Sequence, residues 1–359
     1  MCLRLTVALW DTGKVKTMSA SKNGRVACFA LVLAAAQLFG AAAWSQQTVA
    51  PNGPPWTVKP PFEKSDKARE AISGAACALT LPPTCLAVND ETKYAQFFSI
   101  KGRKIDPSRL IRLFPDKDNG IELGSPDSEG TAYDRGFFYV IGSHGAPRNP
   151  GAAVDPSRFY LLRFRVNERT GKPRFRFGEE TVDTASVVKT SALRDVIRNA
   201  AEIGPFAEKP LGENGANIEG IAVKDDRMFL GFRGPSVNGR AFILEVNVGG
   251  VFGNDPIRAK VHSLPLGADT GIRDLAALRK GSGLLLLAGP VQSGGPYSVH
   301  AWDGQSAETK PLAVLGGVPS GGKPETLLLL SEANAKQYRV LVLLESIANA
   351  SPLEYLIPR

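Results

Sequence analysis

The sequence predicts an all-β fold, a β-propeller with five blades, with six if residues 178–218 hold a further degenerate blade. Three observations predict it. One strand-opening pattern recurs five times: Ser73-Gly74-Ala75-Ala76, Glu129-Gly130-Thr131-Ala132, Glu219-Gly220-Ile221-Ala222, Arg273-Asp274-Leu275-Ala276 and Glu325-Thr326-Leu327-Leu328. The openings are 56, 90, 54 and 52 residues apart, and a period near 50 marks blades or a solenoid array. Each is followed by a turn and a short apolar run of strand length: Leu86–Val88, Phe137–Ile141, Met228–Phe232, Leu284–Ala288 and Val340–Leu344. The 37 Gly and 26 Pro supply the tight turns that many short strands require.

Within a unit the elements follow in order. Lys224-Asp225-Asp226-Arg227 and Arg279-Lys280-Gly281-Ser282-Gly283 read as hairpin turns between first and second strands. Tyr94–Ile100, Phe159–Val166 and Ala241–Val246 read as third strands. The turn Gly171-Lys172-Pro173 predicts a fourth at Arg174–Phe177. Four strands make the usual blade, and the inner ones are continuously apolar because neighbouring blades cover both faces. The 90-residue interval carries an insertion. There Leu193, Val196, Ile197 and Ala200 fall at helical spacing before Gly204-Pro205, which predicts a short helical insertion near 187–203. Little chain follows Glu345, so an N-terminal stretch at Trp56 to Phe62 is expected to supply the last blade's missing outer strand.

The N-terminus reads as a signal peptide, residues 1–45. Lys22 and Arg25 precede an apolar run from Val26 to Ala43, and Ala43-Trp44-Ser45 has the small–x–small pattern of a cleavage site. Met18 competes with Met1 as the start. Residues 46–64 form a Pro-rich linker and closing strand, and 65–359 a single propeller domain. No second stretch is long and apolar enough to span a membrane. The expected location is periplasmic or secreted. Removing the leader leaves 38 basic against 34 acidic residues, a net +4 spread along the chain. That is no nucleic-acid footprint, which needs clustered Lys and Arg. Cys77 and Cys85 then remain, and an even count in an exported chain predicts a disulfide. Their counterparts in the third unit, Val223 and Met228, face each other across a hairpin.

Blades repeat about one axis, so equivalent positions form rings. The first is Ser73, Glu129, Glu219, Arg273 with Asp274, and Glu325. A second lies at the ends of the second strands: Asp90, Glu91, Ser143, His144, Arg233, Gly289 and Glu345 with Ser346. Charges among apolar neighbours need partners or a water-filled channel. Three readings stay open. The charges tie the blades together structurally, with Arg233 and Arg273 on Glu129 and Glu219. Or Glu129, Glu219 and Asp90 hold a hard cation such as Ca²⁺. Or close carboxylates raise one another's pKa for acid–base work. There is no phosphate loop and no G-x-S-x-G elbow. Ser143 and His144 are adjacent and poorly placed as catalytic partners. Asp116 to Glu122 loosely resembles a calcium loop, with a solvated turn the simpler reading.

The chain resembles a bacterial family, domain of unknown function 3616. The resemblance rests on Ile72-Ser73-Gly74 with Asp90-Glu91-Thr92, Glu129-Gly130 with Ile141-Gly142-Ser143-His144, Asn217-Ile218-Glu219-Gly220 with Gly231-Phe232-Arg233-Gly234-Pro235, and Ile272-Arg273-Asp274-Leu275 with Ala288-Gly289-Pro290. The last unit departs from the pattern, with Thr326 where Gly is expected. The resemblance brings no activity with it. The Glu-Gly openings also look like those of exported phytase-like and esterase-like propellers. The sequence therefore leaves two functions: binding of a small ligand or protein on the channel face, or a Ca-type metal-assisted phosphoesterase or esterase-like hydrolase.

Overall fold

Five sheets succeed one another along the chain in the computed structural model, which describes residues 47–359 apart from 63–64, 150–151, 181 and 333–335. The expected signal peptide lies outside the described residues. Blade one comprises Ile72–Ala78, Thr84–Asn89, Tyr94–Lys101 and Lys104–Arg112. Blade two comprises Ser128–Asp134, Phe137–Gly142, Leu161–Arg165 and Val187–Thr190. Blade three comprises Asn217–Lys224, Arg227–Gly234, Arg240–Asn247 and Ala259–Pro265. Blade four comprises Thr270–Ala277, Leu284–Pro290, Ser298–Trp302 and Lys310–Leu315. Blade five has three strands, Lys323–Ser331, Gln337–Glu345 and Leu353–Pro358. The protein is a five-bladed β-propeller, and residues 178–218 add no sixth blade.

The hairpins form where the sequence supplies turn residues. Arg135-Gly136 and Asp225-Asp226 both have positive φ at two consecutive positions, as two-residue hairpin loops require. The second strands are buried throughout, for example Leu284–Ala288 and Val340–Leu344. Each sits between two other blades, so both its faces are covered. One apolar cluster fills each of the five blade–blade interfaces. Phe97, Phe138 and Phe164 pack edge-on or tilted between blades one and two; Leu230 and Ile141 between two and three; Phe229 and Trp302 between three and four; Leu287 and Val342 between four and five; Leu341 and Phe98 between five and one. The ring closes on hydrophobic burial at every interface.

Two expectations shift. Arg174–Phe177 is not a strand, and only a single bridge, Val166 to Pro173, forms there. The fourth strand of blade two is Val187–Thr190, inside the range expected to be helical. The helix is confined to Leu193–Asn199, where Leu193 and Ile197 bury against the cluster between blades two and three.

The N-terminal segment closes the ring as a strap across three blades. Thr48–Val49 pairs in parallel with the outer strand of blade four, and Thr57–Val58 with that of blade one. Between them, Asn52 N and Trp56 N donate to the carbonyls of Glu354 (2.7 Å) and Pro352 (2.8 Å) on blade five. Pro51, Pro54 and Pro55 carry no N–H, so a continuous fourth strand on blade five does not form. Glu354 anchors the strap. Its carboxylate accepts from Asn52 Nδ2 (2.8 Å), Trp56 Nε1 (3.0 Å), Arg103 Nη1 (2.9 Å), and Arg339 Nε and Nη2 (2.8 and 3.0 Å). Cys77 and Cys85 are cross-strand partners in blade one and form a disulfide, in the register of Val223 and Met228 in blade three.

Candidate functional site

Each inner strand carries one extra residue where it opens. Pairing skips from Ile72 to Gly74, from Ser128 to Gly130, from Ile218 to Gly220, from Ile272 to Asp274 and from Pro324 to Thr326. The skipped residues are Ser73, Glu129, Glu219, Arg273 and Glu325. A β-bulge bends its strand and re-aims one side chain. Five equivalent bulges therefore turn the first predicted ring toward the axis. They also explain the glycines that follow. A Cβ at Gly74 would lie 2.8 Å from the carbonyl oxygen of Glu129, and one at Gly130 3.0 Å from that of Glu219. In blades one to three each bulge packs this closely against the next blade, and Gly permits the approach; blade five carries Thr326 at this place. In blade four Asp274 replaces Gly and uses its side chain, accepting from the amides of Leu275 (2.8 Å) and of Leu327 (2.7 Å) in blade five. Asp274 is thus a staple between blades, and burial pushes its pKa well up.

Charge pairing within the rings is unequal. Arg273 is fully buried and bridges two blades, with Nε 3.0 Å from Glu219 Oε2 and Nη2 on Glu325. Burial disfavours its charge, but Glu219 and Glu325 outweigh that and hold its pKa above the usual arginine value. Arg233 donates to Glu219 Oε1 (2.8 Å) and to the carbonyls of Val291 (2.7 Å) and Gln292 (3.1 Å). Both predicted arginines thus serve Glu219, and neither pairs with Glu129. Glu345 pairs with Lys323 (3.1 Å), and Glu91 with Lys67 (2.6 Å). Ser73 Oγ donates to the carbonyl of Ser128 (2.5 Å) in the next blade.

Two carboxyls stand apart. Glu129 has no hydrogen-bond or ion-pair partner among the described residues. Its recessed position, then Asp127, Glu219, Asp90 and Glu325, push its pKa well up. Asp90 Oδ1 is buried and unsatisfied. Burial, then Asp127, Glu345 and Glu91, raise its pKa to about 7.

Ser143 and His144 border this charge cluster through their backbones, Ser143 N donating to the carbonyl of Asp127 (2.9 Å) and His144 N to that of Arg158 (3.1 Å). Ser143 Oγ accepts from Gly145 N (3.2 Å). His144 is buried, bonds the carbonyl of Gly142 through Nδ1 (3.0 Å) and meets the edge of Phe159. Burial lowers its pKa to about 4. Gly289 supplies no side chain, and its face packs on Tyr297 and Arg273. No three of the His, Cys, Asp and Glu side chains among the described residues are gathered to hold a metal ion, so Asp90, Glu129 and Glu219 do not converge as expected for Ca²⁺. The calcium-like loop is a small hairpin, Lys117–Asp118 with Ile121–Glu122, whose Asp118 is held by Lys189 and Tyr160.

Asp127 was missed. It pairs with Arg158 (3.2 Å) and presses on both Asp90 and Glu129. The repeat contained the signal. Two residues before each bulge stand Ala71, Asp127, Asn217, Gly271 and Lys323, a third equivalent set that includes the partner of Glu345.

The inner strands continue beyond the rings into a funnel of about 660 Å³ at the other end of the channel, lined by all five blades.

No curated protein matches the chain. The family model "Protein of unknown function (DUF3616)" matches residues 88–350. Among solved structures, the chain is similar to a GH43 β-1,3-galactosidase, BT3683, with galactodeoxynojirimycin, at 12% identity and a TM-score of 0.48, covering 86% of this chain and 94% of that one. It is also similar to the Malassezia sympodialis allergen Mala s 1, at 11% identity and a TM-score of 0.40, covering 80% and 78%. No helix among the described residues is long and apolar enough to cross a membrane.

Proposed function

The chain belongs to the DUF3616 family, and we propose that it is an exported binding propeller whose ringed channel end takes a small organic cation, an aliphatic amine, on Glu129 and Asp90. The observation that carries this reading is the partnerless Glu129 carboxyl in a channel where Glu219, Glu325 and Glu345 are all paired. An anionic or purely apolar ligand would meet a surplus of carboxylates there. An ammonium ion would neutralise that surplus with one or two hydrogen bonds. Calcium asks for six to eight oxygens, and Glu219 is already committed to Arg233 and Arg273. That favours binding of an organic cation over the cation-assisted hydrolase.

Isothermal titration calorimetry with 1,4-diaminobutane tests the reading. The wild-type domain is expected to bind saturably, about tenfold or more weaker as Glu129→Gln. Because a cation must displace the protons that Asp90 and Glu129 retain, binding is expected to strengthen from pH 6 to pH 8 and to release protons. Absence of saturable binding, or equal affinity in E129Q, overturns the amine reading. Chelator-sensitive binding of Ca²⁺ without amine binding supports the hydrolase.

A further inference from the structure

The funnel at the far end has the opposite chemistry to the rings. Two residues past each bulge lie Ala75, Thr131, Ile221, Leu275 and Leu327, which form a collar at the funnel's depth. Four are apolar. The fifth, Thr131, is buried, and its Oγ1 has no hydrogen-bond partner among the described residues. The wall continues along the strands to a rim, where the hairpin turn of blade one projects Leu79 and Leu81, 67% and 98% exposed. The disulfide pins the base of that turn, so the two leucines are held at the mouth.

The rim is charged in one place above all. Lys224 of blade three donates its Nζ to the carbonyl of Leu278 in blade four, which brings it beside Arg279. The Arg279 guanidinium bonds the carbonyls of Leu329 and Leu330. Neither side chain forms an ion pair with a carboxylate among the described residues. Of the acids at this end, Glu332 caps the amide of Arg279 and lies 3.9 Å from Arg359, Asp134 is close enough to Lys224 to feel its charge, and Glu168 also lines the funnel. The third rim cation, Arg135, is already paired with Asp225. Two adjacent cations whose side-chain hydrogen bonds go to carbonyls favour an anion.

From these observations we infer that the funnel is a second binding site, for a medium-chain aliphatic carboxylate: its carboxylate lies between Lys224 and Arg279, its chain runs down the apolar wall, and a terminal hydroxyl is read by Thr131. A volume of about 660 Å³ falls within the range of small-molecule sites. From collar to rim, four residues of strand span roughly 13 Å, the reach of about ten carbons. The inference is independent of the amine site, which lies at the other end of the channel.

Calorimetry on the whole mature protein decides it. Decanoate is expected to bind saturably. Decyltrimethylammonium, with the same tail and the opposite charge, is expected to bind about tenfold or more weaker, as is butyrate, which lacks the tail. 10-Hydroxydecanoate is expected to bind more tightly than decanoate, and Thr131→Val to erase that difference. The double variant Lys224→Gln/Arg279→Gln is expected to lose decanoate selectively, and Ala276→Phe, on the funnel wall, to exclude every ligand. Unchanged thermal denaturation shows that the variants fold. The ligand series on the wild type needs no variant. The inference is overturned if decanoate fails to bind, if the two charged decyl ligands bind equally, or if trileucine with a free carboxylate binds while decanoate does not.

Discussion

Glu354 on the outer rim and Glu129 in the channel are recessed carboxylates treated in opposite ways. Glu354 is 2% exposed and accepts five hydrogen bonds from four residues, drawn from the strap, blade one and blade five. Trp56 carries the Arg103 and Arg339 guanidinium groups over its ring, at 5.8 and 5.7 Å. Burial alone would raise the pKa of Glu354. The hydrogen bonds from Arg339 and Asn52, with those of its other partners, win and bring it down to about 2. Glu129 has no hydrogen-bond or ion-pair partner among the described residues, sits among like charges, and is pushed the other way. A carboxylate that serves the fold is surrounded by donors until its charge is fully compensated. One whose charge is left uncompensated at the surface of a channel costs stability, and that cost is what the proposed binding role would account for.

The widest separation between the two comes from truncation. Glu354→Ala leaves two guanidinium groups and an indole N–H without their acceptor and unties the strap from blade five. It is expected to cost about 3–5 kcal/mol in chemical denaturation. Glu129→Ala should cost nothing or stabilise. Similar losses at the two positions would break the comparison. Arg273→Met sits between these extremes. It removes the cation shared by Glu219 and Glu325, but Glu219 keeps Arg233, and Glu325 is already inclined to take a proton. The expected loss is about 2–3 kcal/mol, and it should grow with pH as Glu325 ionises. A loss that shrinks as pH rises would show that Glu325 does not depend on Arg273.

Much of this was legible because the propeller repeats. A charged residue at the head of an otherwise apolar strand is conspicuous, and four of them, with Ser73 at the equivalent place in the first unit, located every bulge. The cysteine pair was legible for the same reason, by alignment with Val223 and Met228. What failed depends on partners that are distant in sequence. Arg174–Phe177 has strand-like composition, yet the outer edge of blade two is taken by Val187–Thr190, and nothing local distinguishes the two. The strap makes parallel pairings only two residues long, too short for any period, and its prolines hide its course. The residues of both rings could be named, but not who holds whom. That Arg233 and Arg273 converge on Glu219 and leave Glu129 open is a matter of side-chain reach, which composition does not encode. The funnel's anion site is similar: Lys224 was read as a turn residue, and its place beside Arg279 exists only once blades three and four are packed.

The smallest effect is also the sharpest test of the contrast, because it has a sign. Burial and the neighbouring carboxylates push the pKa of Asp90 up from the ordinary 3.8 to about 7, and Glu129 is likewise raised. Between those values the folded state holds more protons than the unfolded one, so stability falls as pH rises from about 4 to about 7 and levels off above that. Glu354, lowered to about 2, acts oppositely: its contribution is present above about pH 4.5 and is lost as pH falls toward 2. The Tm of the wild type should therefore peak in the acidic range. Asp90→Asn and Glu129→Gln, isosteric and uncharged, should flatten the alkaline side of that peak and raise stability at pH 8. The gain expected is about 1–2 kcal/mol, less than the full shift would suggest, because channel water screens both groups. Glu354→Gln should leave the alkaline side unchanged in slope and flatten the acid side. If D90N and E129Q keep the wild-type slope between pH 5 and pH 8, the two carboxyls are compensated in solution, and the distinction between the outer and inner carboxylates does not hold.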